Sequence, residues 1–226
     1  MIKILGEGAF AKVLLVRKKA SGKLFAMKVI DKKKIMMTEE DCNGAVSAEE
    51  LATRNMYRVK QIISERNIFS VMNSDPNPFI VQLHSAFTSK NSLFMVLDLC
   101  PGGDLFSLIQ KHRNFTAQQA KYIFAEILVA VEHLHKHDIL YRDLKPSNII
   151  IDEWGHFKLT DFGLSKENFS DEDMAKTVCG SPEYFCPEIL QDQPYGRTID
   201  YYSLGVLLYE LITGLPPHYN TDQFQM

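Results

Sequence analysis

The sequence predicts an α+β protein of two lobes: a small antiparallel β-sheet lobe with one helix over residues 1–97, then a mainly helical large lobe over 98–226. Three observations predict it. Short apolar runs with strand character crowd the first part, Val13-Leu14-Leu15-Val16 and Phe25-Ala26-Met27-Lys28-Val29-Ile30 among them. A further run, Leu93-Phe94-Met95-Val96-Leu97, leads into Pro101-Gly102-Gly103, a turn signal that reads as a hinge. Beyond it helical periodicity dominates, most clearly after Thr116.

Composition sets the frame for these elements. With 226 residues and 46% hydrophobic content, the chain can bury a real core as one large domain or two lobes. A net charge of −3 gives no sign of nucleic-acid binding through a general basic field. No uninterrupted apolar stretch approaches a membrane span. Met1-Ile2-Lys3-Ile4-Leu5 has no signal-peptide layout. The four cysteines, Cys42, Cys100, Cys179 and Cys186, form no paired metal-ligand spacing, which fits a reduced cytosolic or nuclear setting.

In chain order, Gly6-Glu7-Gly8-Ala9-Phe10-Ala11-Lys12-Val13 comes first. Glycines in such a run open either a dinucleotide-binding helix or a strand-loop-strand turn. The run Val13-Leu14-Leu15-Val16-Arg17 reads as a strand and favours the turn, whose backbone N–H groups can lie over a triphosphate. No Gly-x-x-x-x-Gly-Lys-Ser/Thr pattern occurs. On the next strand, alternation puts Ala26 and Lys28 on one face. In Lys60–Phe69, Ile62, Glu65 and Phe69 share a helical face, so Glu65 points inward and Lys28 is its natural partner. Residues 36–56, with Glu39, Glu40, Asp41, Glu49 and Glu50, read as a solvated insertion loop.

In the second part, Thr116 and Gln119 predict a capping box. Ala120, Ile123, Phe124, Ile127, Leu128, Val131 and Leu134 then make the stripe of a core helix. It ends in His133-Leu134-His135-Lys136-His137. His133 and His137 share a face, but no acidic or cysteine residue lies at matching spacing, so the pair reads as polar packing before a turn. The densest chemistry follows in Tyr141-Arg142-Asp143-Leu144-Lys145-Pro146-Ser147-Asn148 and Asp161-Phe162-Gly163. Asp143 can take the proton of an attacking hydroxyl, and Lys145 can neutralise charge on a moving phosphate. Asn148 and Asp161 offer the oxygen ligands that magnesium prefers.

This stretch resembles the catalytic and magnesium loops of protein kinases, and the Gly6–Val13 and Phe25–Ile30 runs resemble their glycine-rich loop and third strand. The resemblance implies a bilobal protein-kinase fold, with ATP and Mg2+ as cofactors. It implies nucleotide contacts at Leu5, Gly6, Glu7, Gly8, Ala9, Phe10, Ala11, Lys12, Val13, Ala26, Lys28, Glu65 and Ile150. Leu97 becomes the gatekeeper beside adenine, the backbones of Asp98 and Cys100 meet its edge, and Asp104 sits near the ribose. Asp143 and Lys145 become catalytic and Asn148 and Asp161 metal-binding. Phe69, Leu83, Phe162 and Tyr141 form a stacked spine anchored on Asp200.

Tyr141 before Arg142, and Thr177-Val178-Cys179-Gly180-Ser181-Pro182-Glu183-Tyr184, are similar to the AGC group of serine/threonine kinases. Leu159–Lys166 leans toward its ribosomal-protein and serum-regulated branches. The resemblance implies a signalling kinase, monomeric and without nucleic-acid partners, that phosphorylates protein serine or threonine. It makes Thr177 an activation-loop phosphosite for an upstream kinase, with Arg142 as the phosphate partner. It gives Asp104 and Glu210 the recognition of a substrate arginine. Ser147 stands where many of these kinases have glutamate, Ala11 replaces a glycine, and Cys186-Pro187-Glu188 replaces Ala-Pro-Glu. The sequence ends soon after the central helix Ile199–Leu211, which leaves a partial large lobe, exposed apolar surface on that helix and Glu188 buried without its arginine. The alternatives are a truncated, inactive fragment that binds nucleotide or a partner, and a scaffold pseudokinase. The second requires losses at Lys28, Asp143 or Asp161 that are not present.

Overall fold

Strand-forming Val, Ile, Leu and Phe in short runs suit a pleated, half-buried surface, and they build the first of two units. The computed structural model describes residues 2–8, 11–36, 47–217 and 219–220. Ala9, Phe10, residues 37–46 of the expected insertion and Met226 lie outside the described residues. The first unit comprises Met1–Ser74 with Gln82–Leu99, and the second Asp75–Val81 with Cys100–Met226. Asp75–Val81, expected in the first lobe, goes with the second unit: Ile80 bridges to Leu159, and the Val81 N–H donates to the Leu159 carbonyl at 3.0 Å.

In the first unit β1 (Lys3–Glu7), β2 (Ala11–Arg17) and β3 (Leu24–Asp31) precede a one-turn helix, α1 (Lys32–Ile35). Then come α2 (Ala48–Ser74), β4 (Leu83–Thr88) and β5 (Ser92–Leu97). The sheet is antiparallel in the order β1-β2-β3-β5-β4. Phe25, Ile30, Leu83 and Met95 of the sheet and Ile68, Phe69 and Met72 of α2 are buried. Each contributes about 1.5–3 kcal/mol relative to an exposed side chain.

The insertion expected as a loop over 36–56 is helical from Ala48 onward. Its acidic residues are the reason. Ser47 Oγ accepts from the Glu50 N–H at 3.2 Å, and Glu49 and Glu50 occupy the first turn, where the helix dipole favours carboxylates. Arg54 pairs with Glu50 one turn away at 2.8 Å.

The second unit contains α3 (Leu105–His112), α4 (Ala117–Lys136), the ribbon β6 (Ile149–Ile151) and β7 (Phe157–Leu159), α5 (Pro187–Leu190) and α6 (Thr198–Thr213). The capping box on α4 forms in both directions, at 3.3 Å from the Gln119 N–H to Thr116 Oγ1 and 3.0 Å back. Phe124 and Leu128 are half-buried, while Ala130 joins the buried stripe. A second cluster holds Leu140, Phe169, Cys186, Ile189, Tyr195 and Ile199. Gly214 ends α6 at φ 91, and a Cβ there would stand 2.4 Å from the Arg113 carbonyl oxygen. Tyr201, Tyr209 and Ile212 on α6 are exposed.

Candidate active site

In the first unit the β1–β2 hairpin closes on two contacts. The Gly8 N–H donates to the Ala11 carbonyl at 2.8 Å, and Lys12 meets Glu7 at 2.8 Å. Leu5, Glu7 and Lys12 are exposed, and Gly6 and Val13 are half-buried. Register places Val13 and Met95 on either side of Lys28, and Leu97 beside Ala26. Lys28 Nζ lies 2.6 Å from Glu65 Oε1 of α2, so the expected pair is formed. The Glu65 side chain is only 4% exposed, and a carboxylate so enclosed requires a cation. Leu97 is buried at the end of β5. The Asp98 N–H donates to the Gln82 carbonyl at 3.1 Å, and its carboxylate lies 2.7 Å from His84 Nε2.

In the second unit the anchor is Asp200 in the first turn of α6, 1% exposed. It accepts from the N–H of Tyr141 at 2.9 Å and of Arg142 at 2.8 Å, and lies 2.7 Å from His135 Nε2. These bonds hold Arg142 at φ 70, a left-handed conformation that costs about 1–3 kcal/mol outside glycine. The next residue, Asp143, is thereby fixed. Lys145 Nζ lies 2.8 Å from Asp143 Oδ2 and 3.0 Å from Ser181 Oγ. Asn148 Nδ2 donates to the Asp143 carbonyl at 2.9 Å and to Oδ2 at 2.8 Å. With its amide nitrogen so used, Asn148 has its oxygen to offer a cation. Asp161 follows β7 at φ 58, with an exposed side chain. Two oxygen donors of this kind fit magnesium.

Phe162 is buried, and its ring meets that of Tyr141 edge to face at 5.7 Å. The Tyr141 hydroxyl donates to the Thr160 carbonyl at 2.6 Å. Burial pushes that hydroxyl well above its ordinary range, and the charges of Asp143, Asp161 and Asp200 push it further. Phe69 and Leu83, the other expected spine residues, are buried in the first unit.

Thr177 is exposed, and its carbonyl accepts from the Tyr195 hydroxyl at 2.6 Å. Arg142 donates through Nε to the Leu164 carbonyl at 2.7 Å and reaches Tyr195 Oη at 3.5 Å. Gly180 has φ 109, and a Cβ there would stand 2.8 Å from the Arg142 carbonyl oxygen, so only glycine lets this loop approach Asp143. Asp104 caps α3, accepting from the Ser107 N–H at 2.7 Å, and bridges to Ile150. Cys100 is half-buried and outside any disulfide.

Two expectations are corrected. Glu210 is 5% exposed and accepts a hydrogen bond from the Tyr184 hydroxyl, so α6 does not present the open carboxylate expected for a substrate arginine. Burial holds its carboxyl above the ordinary range. Glu188 is half-buried on the short helix α5, not buried as expected. Sequence reasoning also missed Ser181, which contacts both Lys145 and Asp143, and Tyr195. Ser181 lies within the run Thr177–Tyr184 but has no local signal of its own. Tyr195 has none at all.

A family described as "Protein kinase domain" matches residues 1–226. The serine/threonine-protein kinase Sgk1 of Gallus gallus is 42% identical over 225 residues, covering 100% of this chain and 48% of the relative. Sgk1 of Homo sapiens gives the same identity and coverage. A RAC family serine/threonine-protein kinase homolog of Dictyostelium discoideum is 42% identical over 227 residues, covering 100% of this chain and 46% of the relative. These relatives fall in the AGC group that the motifs resemble. The chain spans about half the length of the curated relatives it matches.

Proposed function

The chain belongs to the protein kinase domain family, and from that premise we propose that it is the catalytic portion of a serine/threonine kinase moving the γ-phosphoryl group of ATP to protein hydroxyls. The observation that carries this is the arrangement around Asp143. Lys145 and Asn148 both bond its carboxylate, on a loop that Asp200 holds in place. Asp143 orients the acceptor hydroxyl and takes its proton as oxygen bonds to phosphorus, the bond to the β-phosphate oxygen breaks and ADP leaves. Lys145 stabilises the negative charge on the transferred group. Asn148 and Asp161 would hold magnesium, which would neutralise phosphate charge when bound. Lys28, oriented by Glu65, and the Gly8 hairpin serve the nucleotide phosphates.

Regulation through Thr177 is part of the reading. Its exposed side chain and its link through Tyr195 to Arg142 support a phosphate there, placed by an upstream kinase and paired with the guanidinium. Asp104 supports a preference for upstream arginine, whereas Glu210 first has to give up Tyr184. Among the described residues Cys100, Cys179 and Cys186 form no disulfide, in keeping with a reducing compartment. The test supplies Mg-ATP and a peptide library with Ser, Thr or Tyr acceptors, with and without upstream arginine. We expect incorporation at Ser and Thr, enhanced by arginine and reduced by Thr177→Ala. Incorporation at Tyr alone contradicts the reading, and nucleotide binding without any incorporation favours a binding module instead.

A further inference from the structure

The last turn of α4 and the His137 that caps it carry three histidines, of which His135 is committed to Asp200. His133 and His137 stand one helical turn apart on one face, with ring centroids 4.9 Å apart. The fold brings Asp75 to them from 58 positions upstream of His133. All three belong to the second unit. His133 Nε2 lies 2.8 Å from the Asp75 carbonyl oxygen, and His137 Nε2 lies 3.0 Å from Asp75 Oδ2. One ligand atom from each residue falls within 4.8 Å of the other two.

We propose that Asp75, His133 and His137 form a binding site for a divalent transition-metal ion of the zinc type, with water completing the coordination. Two imidazoles at i and i+4 with one carboxylate make the three-ligand set that zinc accepts while keeping an open position. Two nitrogen donors weigh against magnesium and calcium, which prefer oxygen. Bonds of 2.0–2.1 Å in a tetrahedron space ligand atoms about 3.4 Å apart, so side-chain rotations on the order of an ångström close the site. All three residues are half-buried, sheltered yet open to an arriving ion. Without an ion His137 Nε2 bonds the Asp75 carboxylate and His133 Nε2 donates to the Asp75 backbone carbonyl, a bond that His133 exchanges for the metal. The Asp75 carboxyl lies below its ordinary range, with His137 the larger cause and Lys136 the next. The competing cation is Lys136, 3.4 Å from Asp75 Oδ2. Its side chain is 70% exposed and swings into water at little cost. Sequence spacing gave no acidic partner because Asp75 reaches the pair only through the fold.

The test adds zinc chloride to the full chain and follows the seven histidine imidazoles by nitrogen NMR. One equivalent should shift the Nε2 signals of His133 and His137 ahead of the others, and magnesium chloride alone should leave both unmoved. Unmoved signals with zinc, or equal shifts with magnesium, overturn the proposal. Competition with a chromogenic chelator should show affinity lowered by more than about tenfold in the His133→Gln/His137→Gln variant. That is a minimum, since removing a group that merely hydrogen-bonds a metal ligand costs about 10–100-fold. Unchanged affinity in a variant with wild-type circular dichroism also overturns it. The NMR arm uses the unaltered chain, so the outcome stands whether or not the variant folds.

Discussion

Replacing Asp200 by asparagine probes the anchor of the catalytic loop. The carboxylate takes the N–H groups of Tyr141 and Arg142 and faces His135 Nε2. Asparagine keeps one accepting oxygen. Its best orientation retains Tyr141 and His135 and turns the NH2 group toward the Arg142 N–H. That N–H then meets a donor in a buried place, at a cost of about 1–3 kcal/mol. The surviving bonds pass from a charged to a neutral acceptor, which costs about 1 kcal/mol more. The sum is about 2–4 kcal/mol, or about 30- to 1000-fold in the local opening equilibrium. Native-state hydrogen exchange reads this at the amides of Tyr141 and Arg142, with α4 amides as reference. Protection of the Arg142 amide should fall by that factor, and the reference less. Protection unchanged within about threefold would falsify the account of how Arg142 is held at positive φ.

Two further outcomes follow from particular atoms. Gly214→Ala puts a Cβ 2.4 Å from the Arg113 carbonyl oxygen at φ 91. It should cost about 2–3 kcal/mol and lower Tm by roughly 5–10 °C in a calorimetric scan, and an unshifted Tm contradicts the packing of α6 on that turn. Glu210→Gln tests the buried carboxyl, whose folded pKa lies above its ordinary 4.5. The unfolded chain releases this proton first as pH rises, so the associated stability is full below 4.5 and declines as pH climbs through the raised folded value. Urea unfolding at about pH 5 and about pH 7.5 should show the glutamine variant gaining on the wild type as pH rises, and a falling difference refutes the shift.

Where structure follows local pattern, the sequence was readable. Strand alternation put Ala26 and Lys28 on one face, helical periodicity aimed Glu65 inward, and the spacing of Thr116 and Gln119 predicted a cap that forms in both directions. Asp143, Lys145, Asn148 and Asp161 were visible because residues close in sequence supply the chemistry. The helical start of α2 was not: the carboxylates around Glu49 and Glu50 read as solvated loop, whereas in the first turn they favour a helix that Ser47 caps and whose short apolar stripe is Ala48, Leu51 and Ala52. Ser181 against Lys145, Tyr184 against Glu210, Ile80 against Leu159 and Asp75 against the α4 histidines are all long-range contacts. No periodicity encodes them, because each depends on how distant segments pack.

The most direct measurement of the central claim is phosphoryl transfer from radiolabelled ATP, with magnesium, to an arginine-containing serine peptide, by this chain beside Asp143→Asn. Melting shifts with Mg-ATP are recorded on both to show that nucleotide binding and fold survive the substitution. The account predicts transfer by the chain, and a loss of at least about a hundredfold in the variant with its nucleotide shift retained. Equal transfer by the two proteins would remove Asp143 from the chemistry and contradict the account.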